Sequence, residues 1–184
     1  MPTEHEYKYV IKLDAEERIK LSIIHEITQG YLPCPDVVRI RRLKLLGDPC
    51  IREMFDEDED LWTFTYKKRI GQRVVEIETY LDQRDGEDLL SECKDVLMKR
   101  RFAFENNEGE KWDIDFFFDE EGVYFASAEV ELPEGSERPS VLPDLLKNEV
   151  IYEVLLTDDR FSNKNLTNKW YAKQLYEQIS KGTK

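Results

Sequence analysis

Residues 4–8 read EHEYK, with Glu4, Glu6 and Lys8 at every second position, and the chain runs straight on into Tyr9, Val10 and Ile11. A β-strand alternates its side chains between two faces, so this spacing puts the three charges on one face and the apolar residues on the other. The pattern returns along the chain. VRIRRL aligns Arg39 with Arg41 against Val38 and Ile40, TFTYK aligns Thr63, Thr65 and Lys67 against Phe64 and Tyr66, and VVEIETY aligns Glu76 with Glu78 against Val75 and Ile77. KRRF pairs Lys99 with Arg101, WDIDFFF pairs Asp113 with Asp115 against Trp112, Ile114 and Phe116, and AEVEL pairs Glu129 with Glu131 against Val130 and Leu132. One wet face is ordinary for antiparallel strands. Repeated doublets of a single sign, some acidic and some basic, are not ordinary for a surface, because like charges held together require a counter-charged ligand. The pattern predicts an α+β chain, mainly antiparallel β, closed into a barrel whose charged faces line a tunnel and whose apolar faces meet peripheral helices.

Composition sets limits on this reading. The 184 residues fit one domain, 1–184. With 27 Lys and Arg against 40 Asp and Glu the net charge is −13, which argues against nucleic acid or an anionic membrane as the main partner. Cys34, Cys50 and Cys93 are widely separated and form no CxxC pair, so neither a disulfide framework nor a zinc site is indicated. No apolar run approaches the length of a membrane span and the N-terminus is acidic, which predicts a cytoplasmic protein.

Three helices are predicted around the strands. The first starts at Asp14, capped with Glu17, and carries Ile19, Ile23, Ile24 and Ile27 as a stripe, with His25 on its flank. A second covers Asp85 to Leu97 with Leu89, Leu90, Cys93, Val96 and Leu97 on one face, and a third near the C-terminus uses Leu166, Trp170, Leu175 and Ile179. The acidic stretch of 43–60, including DEDED at 56–60, reads as a solvated loop, with a lid over one tunnel mouth as the alternative. It is no calcium loop, since Leu61 stands where Gly is needed and Lys67 where Glu is needed.

Acidic and basic doublets in one cavity suit a polyanion bound together with a divalent cation. Arg offers a planar fork to phosphate oxygens and Lys a point charge, while carboxylates suit the octahedral oxygen shell of Mg²⁺. At this point the chain resembles a known family. The ExExK start, followed in order by TQGYL, VRIR, TYK, EIE, KRR, WDIDFF, AEVEL and DDRFSN, is similar to the CYTH superfamily, the triphosphate tunnel metalloenzymes. The resemblance implies a closed eight-stranded barrel and hydrolysis or cyclisation of a triphosphate with Mg²⁺ or Mn²⁺. It implies metal-side roles for Glu4, Glu6, Asp115, Glu129 and Glu131. It implies substrate-binding roles for Lys8, Arg39, Arg41, Lys67, Lys99 and Arg101, with Lys8, Glu6 and Asp115 as the catalytic group. Arg73 is the candidate for an arginine that the family places two residues before Glu76; Val74 holds that position here, and a bulge is needed to bring Arg73 into phase.

The resemblance favours a bacterial-type tripolyphosphatase acting on a triphosphate-containing small molecule, as a monomer or homodimer. Thiamine triphosphatase, class IV adenylyl cyclase and a non-catalytic triphosphate-binding module stay open beside it.

Overall fold

The structure is a computed structural model that describes residues 6–19, 24–46, 60–71, 73–132, 136, 138–155 and 158–182. Nine strands form one antiparallel sheet: β1 (Glu6–Ile11), β2 (Ile24–Tyr31), β3 (Val37–Leu45), β4 (Leu61–Ile70), β5 (Arg73–Leu81), β6 (Asp95–Glu105), β7 (Lys111–Asp119), β8 (Gly122–Glu131) and β9 (Val150–Val154). The helices are α1 (Gln83–Ser91), α2 (Asn163–Leu166) and α3 (Lys169–Gly182). The strand order is β5-β4-β3-β2-β6-β7-β8-β1-β9. Eight strands in a closed barrel are expected from the sequence. The observed order instead has nine, with β5 and β9 at its two ends and no ladder joining them among the described residues.

The two faces separate as the alternation predicts. On the outer face Tyr9, Ile11, Phe102, Trp112, Ile114 and Phe116 pack together with Ala15 and Ile19 of the segment after β1 and with Leu146 of a 3-10 turn at Asp144–Leu146. Fully burying side chains of this size contributes roughly 1.5–3 kcal/mol each. The inner face changes character along its length. Lys8, Lys99, Asp115 and Ser127 give way two residues on to Val10, Leu97, Phe117 and Phe125, and this apolar end is plugged by Phe161, Leu166, Ala172 and Leu175. Inward-facing charge therefore occupies one end of the curled sheet and an ordinary core the other. The apolar side of β5 is the exception, since Ile77 is 55% exposed.

Helix α1 lies against β2, β3 and β4 at two glycines. A Cβ on Gly30 would lie 2.7 Å from Cys93 Sγ, and one on Gly86 would lie 2.4 Å from the Trp62 ring. Side chains at either place would lift the helix off the sheet.

The predicted first helix is not formed. Residues Leu13–Glu17 make a 3-10 turn, residues 20–23 lie outside the described residues, and Ile27 belongs to β2, where it is fully buried. The spacing of the isoleucines mimics a helical stripe, but β-branched side chains favour a strand, and pairing with both β3 and β6 decides the outcome. Asp14 is no cap; its carboxylate accepts two hydrogen bonds from Arg18. His25 is likewise a strand residue. The second helix starts earlier than predicted, capped by Asp82, whose side chain accepts from the Asp85 N–H at 2.9 Å, and it ends at Ser91. Val96 and Leu97 lie in β6. In the C-terminal helix Leu175 is buried as expected, whereas Trp170 is 73% exposed. The predicted loop of 43–60 is divided: residues 43–45 complete β3, residues 47–59 lie outside the described residues, and Asp60 accepts from Arg42.

Candidate active site

The charged end of the inner face encloses a cavity of about 1070 Å³. Strand pairing decides which charges meet there. Between β1 and β8, Glu6 stands opposite Glu131 and Lys8 opposite Glu129; between β7 and β8, Glu129 stands opposite Asp113. Carboxylates thus gather on the β1-β8-β7 wall. Arg39 and Arg41 of β3, with Lys67 of β4, supply the facing cations.

Beneath this cavity lies a fully buried ion cluster. Lys99 and Asp115 are both 0% exposed, and the Lys99 Nζ lies 2.6 Å from Asp115 Oδ2. Arg101 grips the same carboxylate with two donors, Nε and Nη2, each at 2.7 Å, and its Nη1 donates to Asp113. Burial alone would raise the Asp115 pKa, but the charges of Arg101 and Lys99 outweigh it and hold the carboxyl well below its usual range. Burial and the Arg101 charge push Lys99 the other way, down to about 8 despite Asp115. The Lys99 ammonium also lies 5.3 Å from the Phe117 ring centroid. For Arg101, the two aspartates overcome burial and keep the guanidinium firmly charged. Asp113 is raised, chiefly by burial.

The upper wall is held by further pairs. Lys8 Nζ lies 2.8 Å from Glu129 Oε1 and donates to the Phe161 carbonyl at 3.0 Å. Burial lowers the Lys8 pKa, but the Glu129 charge outweighs it and the net shift is upward. Glu129 is held below its usual value in return, since the Lys8, Lys99 and Arg101 charges exceed the effect of burial. Arg39 Nη2 reaches Glu78 at 3.2 Å and Thr65 at 3.0 Å, and the Thr65 hydroxyl donates to the same Glu78 carboxylate at 2.7 Å. Lys67 pairs with Glu76 at 3.0 Å.

Asp115 and Glu129 therefore favour the folded state while ionised. Their folded pKa values lie below the unfolded ones, so the stability they contribute is present above the ordinary carboxylate range and is lost as the pH falls through and below it. The expected result is a steady drop in melting temperature from about pH 5 downward, read by scanning calorimetry. A flat profile to pH 3 would contradict the assigned pairing.

Of the site residues expected from the sequence, Glu6, Lys8, Arg39, Arg41, Lys67, Arg101, Glu129 and Glu131 line this cavity. Asp115 and Lys99 do not line it; both are fully buried beneath Arg101, which donates to Asp115. Glu4 lies outside the described residues. The β4–β5 ladder pairs Arg73 with Ile70 and Val74 with Arg69 with no register shift, so the bulge that would bring Arg73 into phase with Glu76 and Glu78 is absent. Sequence reasoning assigned no role to Gln29, which is fully buried under the wall, or to Tyr31, which lines the cavity. The resemblance includes DDRFSN, residues 158–163, without giving it a role; the chain from Asp158 to Lys164 closes one side of the cavity. That segment is a 3-10 turn running into a short helix, where a two-residue period gives no signal.

The donor set is compatible with a hard divalent cation. Glu6, Glu129 and Glu131 offer carboxylate oxygens along one wall, although among the described residues no three such groups converge closely enough to hold an ion by themselves. Mg²⁺ is ordinarily held by one or two carboxylates, with waters and substrate phosphates completing its shell. No helix of the described chain is long and apolar enough to cross a membrane.

No family model matches the chain, and no curated protein matches it by sequence. Solved structures do. The inorganic triphosphatase NE1496 shares 22% identity at a TM-score of 0.56, covering 91% of this chain and 95% of its own. A second structure of NE1496, described as a hypothetical protein, gives 23% identity and a TM-score of 0.55 over 90% and 97%. PH1819 from Pyrococcus horikoshii OT3 superposes more loosely, with 18% identity and a TM-score of 0.47 over 73% and 81%. The first two superpose over nearly the whole length of both chains, and the chain shares their fold, that of the triphosphate-tunnel (CYTH) proteins.

Proposed function

We propose that this chain is a triphosphatase that hydrolyses a short triphosphate, with inorganic tripolyphosphate as the first substrate to test and Mg²⁺ or Mn²⁺ as its cofactor. The observation that carries the proposal is one cavity with guanidinium and ammonium groups on one wall and carboxylates on the other, in a fold shared with a solved inorganic triphosphatase.

Arg39, Arg41, Lys67, Lys8 and Arg101 would bind the phosphate chain, the guanidiniums through paired N–H donors that match phosphate oxygens. A divalent cation held by Glu129 together with one of Glu6 and Glu131 would neutralise phosphate charge as it develops, leaving the other of that pair to the attacking water. One of the carboxylates at the mouth, Glu6 or Glu131, orients a water in line with the terminal phosphorus and accepts its proton. The new P–O bond forms to that water oxygen as the bond to the bridging oxygen breaks, and diphosphate leaves with the bridging oxygen. Arg101, held rigid by Asp115 and Asp113, places positive charge beside the departing phosphate with little reorganisation. Phosphoryl transfer needs little covalent help from a protein, so positioning and charge are enough to account for the rate.

The testing experiment measures phosphate and diphosphate release from tripolyphosphate, ATP and thiamine triphosphate, with Mg²⁺, Mn²⁺ or chelator. Metal-dependent phosphate release, fastest from tripolyphosphate, is the expected result. Diphosphate from ATP accompanied by cyclic AMP would make the protein a cyclase, and binding without release would make it a sensor.

A further inference from the structure

Arg41 differs from the other cations of the site that are shielded from solvent, a set that leaves out the exposed Lys111 and Lys164 at its rim. Lys8 faces Glu129, Arg39 faces Glu78, Lys67 faces Glu76, and both Lys99 and Arg101 face Asp115. Arg41 has no carboxylate within ion-pair distance among the described residues. Its Nε and Nη2 donate instead to the amide oxygen of Gln29, at 3.3 and 3.2 Å.

The chemistry of this contact is one-directional. A guanidinium has only donors, so the amide must present its oxygen to Arg41 and its NH₂ elsewhere. That NH₂ donates to the Tyr31 hydroxyl at 2.6 Å. Gln29 is 0% exposed and Tyr31 is buried, so the amide is held from behind. The backbone register fixes the arrangement: Gln29 stands opposite Arg41 and Tyr31 opposite Arg39 on the β2–β3 ladder. Since β2 side chains alternate, Gln29 and Tyr31 reach the same inner side.

We propose that Gln29, locked by Tyr31, is a positioning residue that aims Arg41 at the incoming polyphosphate while leaving its positive charge uncompensated. A glutamate in the same place would hold the guanidinium at least as well, but a polyphosphate would then have to displace it. The neutral amide orients without competing. Burial, then the Arg39 and Arg101 charges, push the Arg41 pKa down to about 10, which still leaves the group cationic at neutral pH. An uncompensated cation in a partly desolvated wall attracts an anion more strongly than one already paired.

This inference rests on the polyphosphatase reading, and the test separates the two. Steady-state rates on tripolyphosphate with Mg²⁺ are measured beside thermal melting for wild type, Gln29→Glu and Tyr31→Phe. Gln29→Glu is expected to raise KM about tenfold or more, equivalent to ~1.4 kcal/mol, with kcat within roughly threefold and melting unchanged or higher. Tyr31→Phe, which leaves the buried Gln29 NH₂ without its acceptor, is expected to raise KM roughly three- to tenfold and to lower the melting temperature by about 2–4 °C, with kcat within roughly threefold. A purely structural role would lower melting temperature and kcat together and leave KM alone. Gln29→Glu with a KM within twofold of wild type overturns the inference and leaves the enzyme reading standing. Should Gln29→Glu fail to fold, an unchanged KM in Tyr31→Phe overturns it. A wild-type protein that neither turns over nor binds tripolyphosphate overturns both.

Discussion

Replacing Asp115 with Asn will lower the stability of the protein by about 3–5 kcal/mol, the largest single loss expected outside the apolar core. Asp115 is the common counter-ion of Lys99 and Arg101, and neither it nor Lys99 is reached by solvent. Arg101 keeps a partner in Asp113 when Asp115 is neutralised. Lys99 keeps none within ion-pair distance among the described residues, so most of the cost falls on one buried ammonium. Urea unfolding gives the measurement. The variant Lys99→Met alone should cost less, because Asp115 retains both Arg101 donors, and combining it with Asp115→Asn should recover part of the loss, as expected for groups in contact. Additive effects in that double-mutant cycle would remove the cluster from the account of stability.

Glu131→Gln and Glu6→Gln together will reduce kcat on tripolyphosphate by a factor of about 100 or more and leave unfolding unchanged. The two residues are register partners at the mouth, both exposed, so removing their charge disturbs little packing. Chelator added to wild type should produce a loss of the same order. If the double variant keeps more than half of the wild-type rate, the acidic mouth is not part of the reaction.

Much of this architecture is legible in the sequence because both strand faces carry a strong signal. Trp112, Ile114 and Phe116 are fully buried on the outer face, while Asp113 and Asp115 between them reach the inner one. Misreading came where local pattern and tertiary context disagree. Ile19 to Ile27 imitates a helical stripe, yet β2 fills the centre of the sheet between β3 and β6, a position that only the assembled ladder defines. β9 was passed over, being short and bearing no charge doublet. For the site, charged pairs were readable and depth was not. Nothing in KRRF or WDIDFFF says that Lys99 and Asp115 lie beneath the cavity while Arg101 and Asp113 line it; curvature and the flanking Phe117 and Ser127 decide that. Gln29 was invisible for a related reason, since a neutral amide in TQGYL acquires meaning only once Arg41 is seen against it.

On the proposed reading, the pairing of Lys8, Arg39 and Lys67 with carboxylates makes the cavity wall an ion exchanger. A phosphate that takes Lys8 releases Glu129, one that takes Arg39 releases Glu78, and one that takes Lys67 releases Glu76. Each released carboxylate is a new oxygen donor for a divalent ion. On that reading polyphosphate and divalent cation would strengthen each other's binding, and thermodynamic reciprocity would make the factor the same in both directions. The paired groups of the cavity wall balance one another's charge, and the carboxylates among them would become available to a cation only as an anion takes their partners.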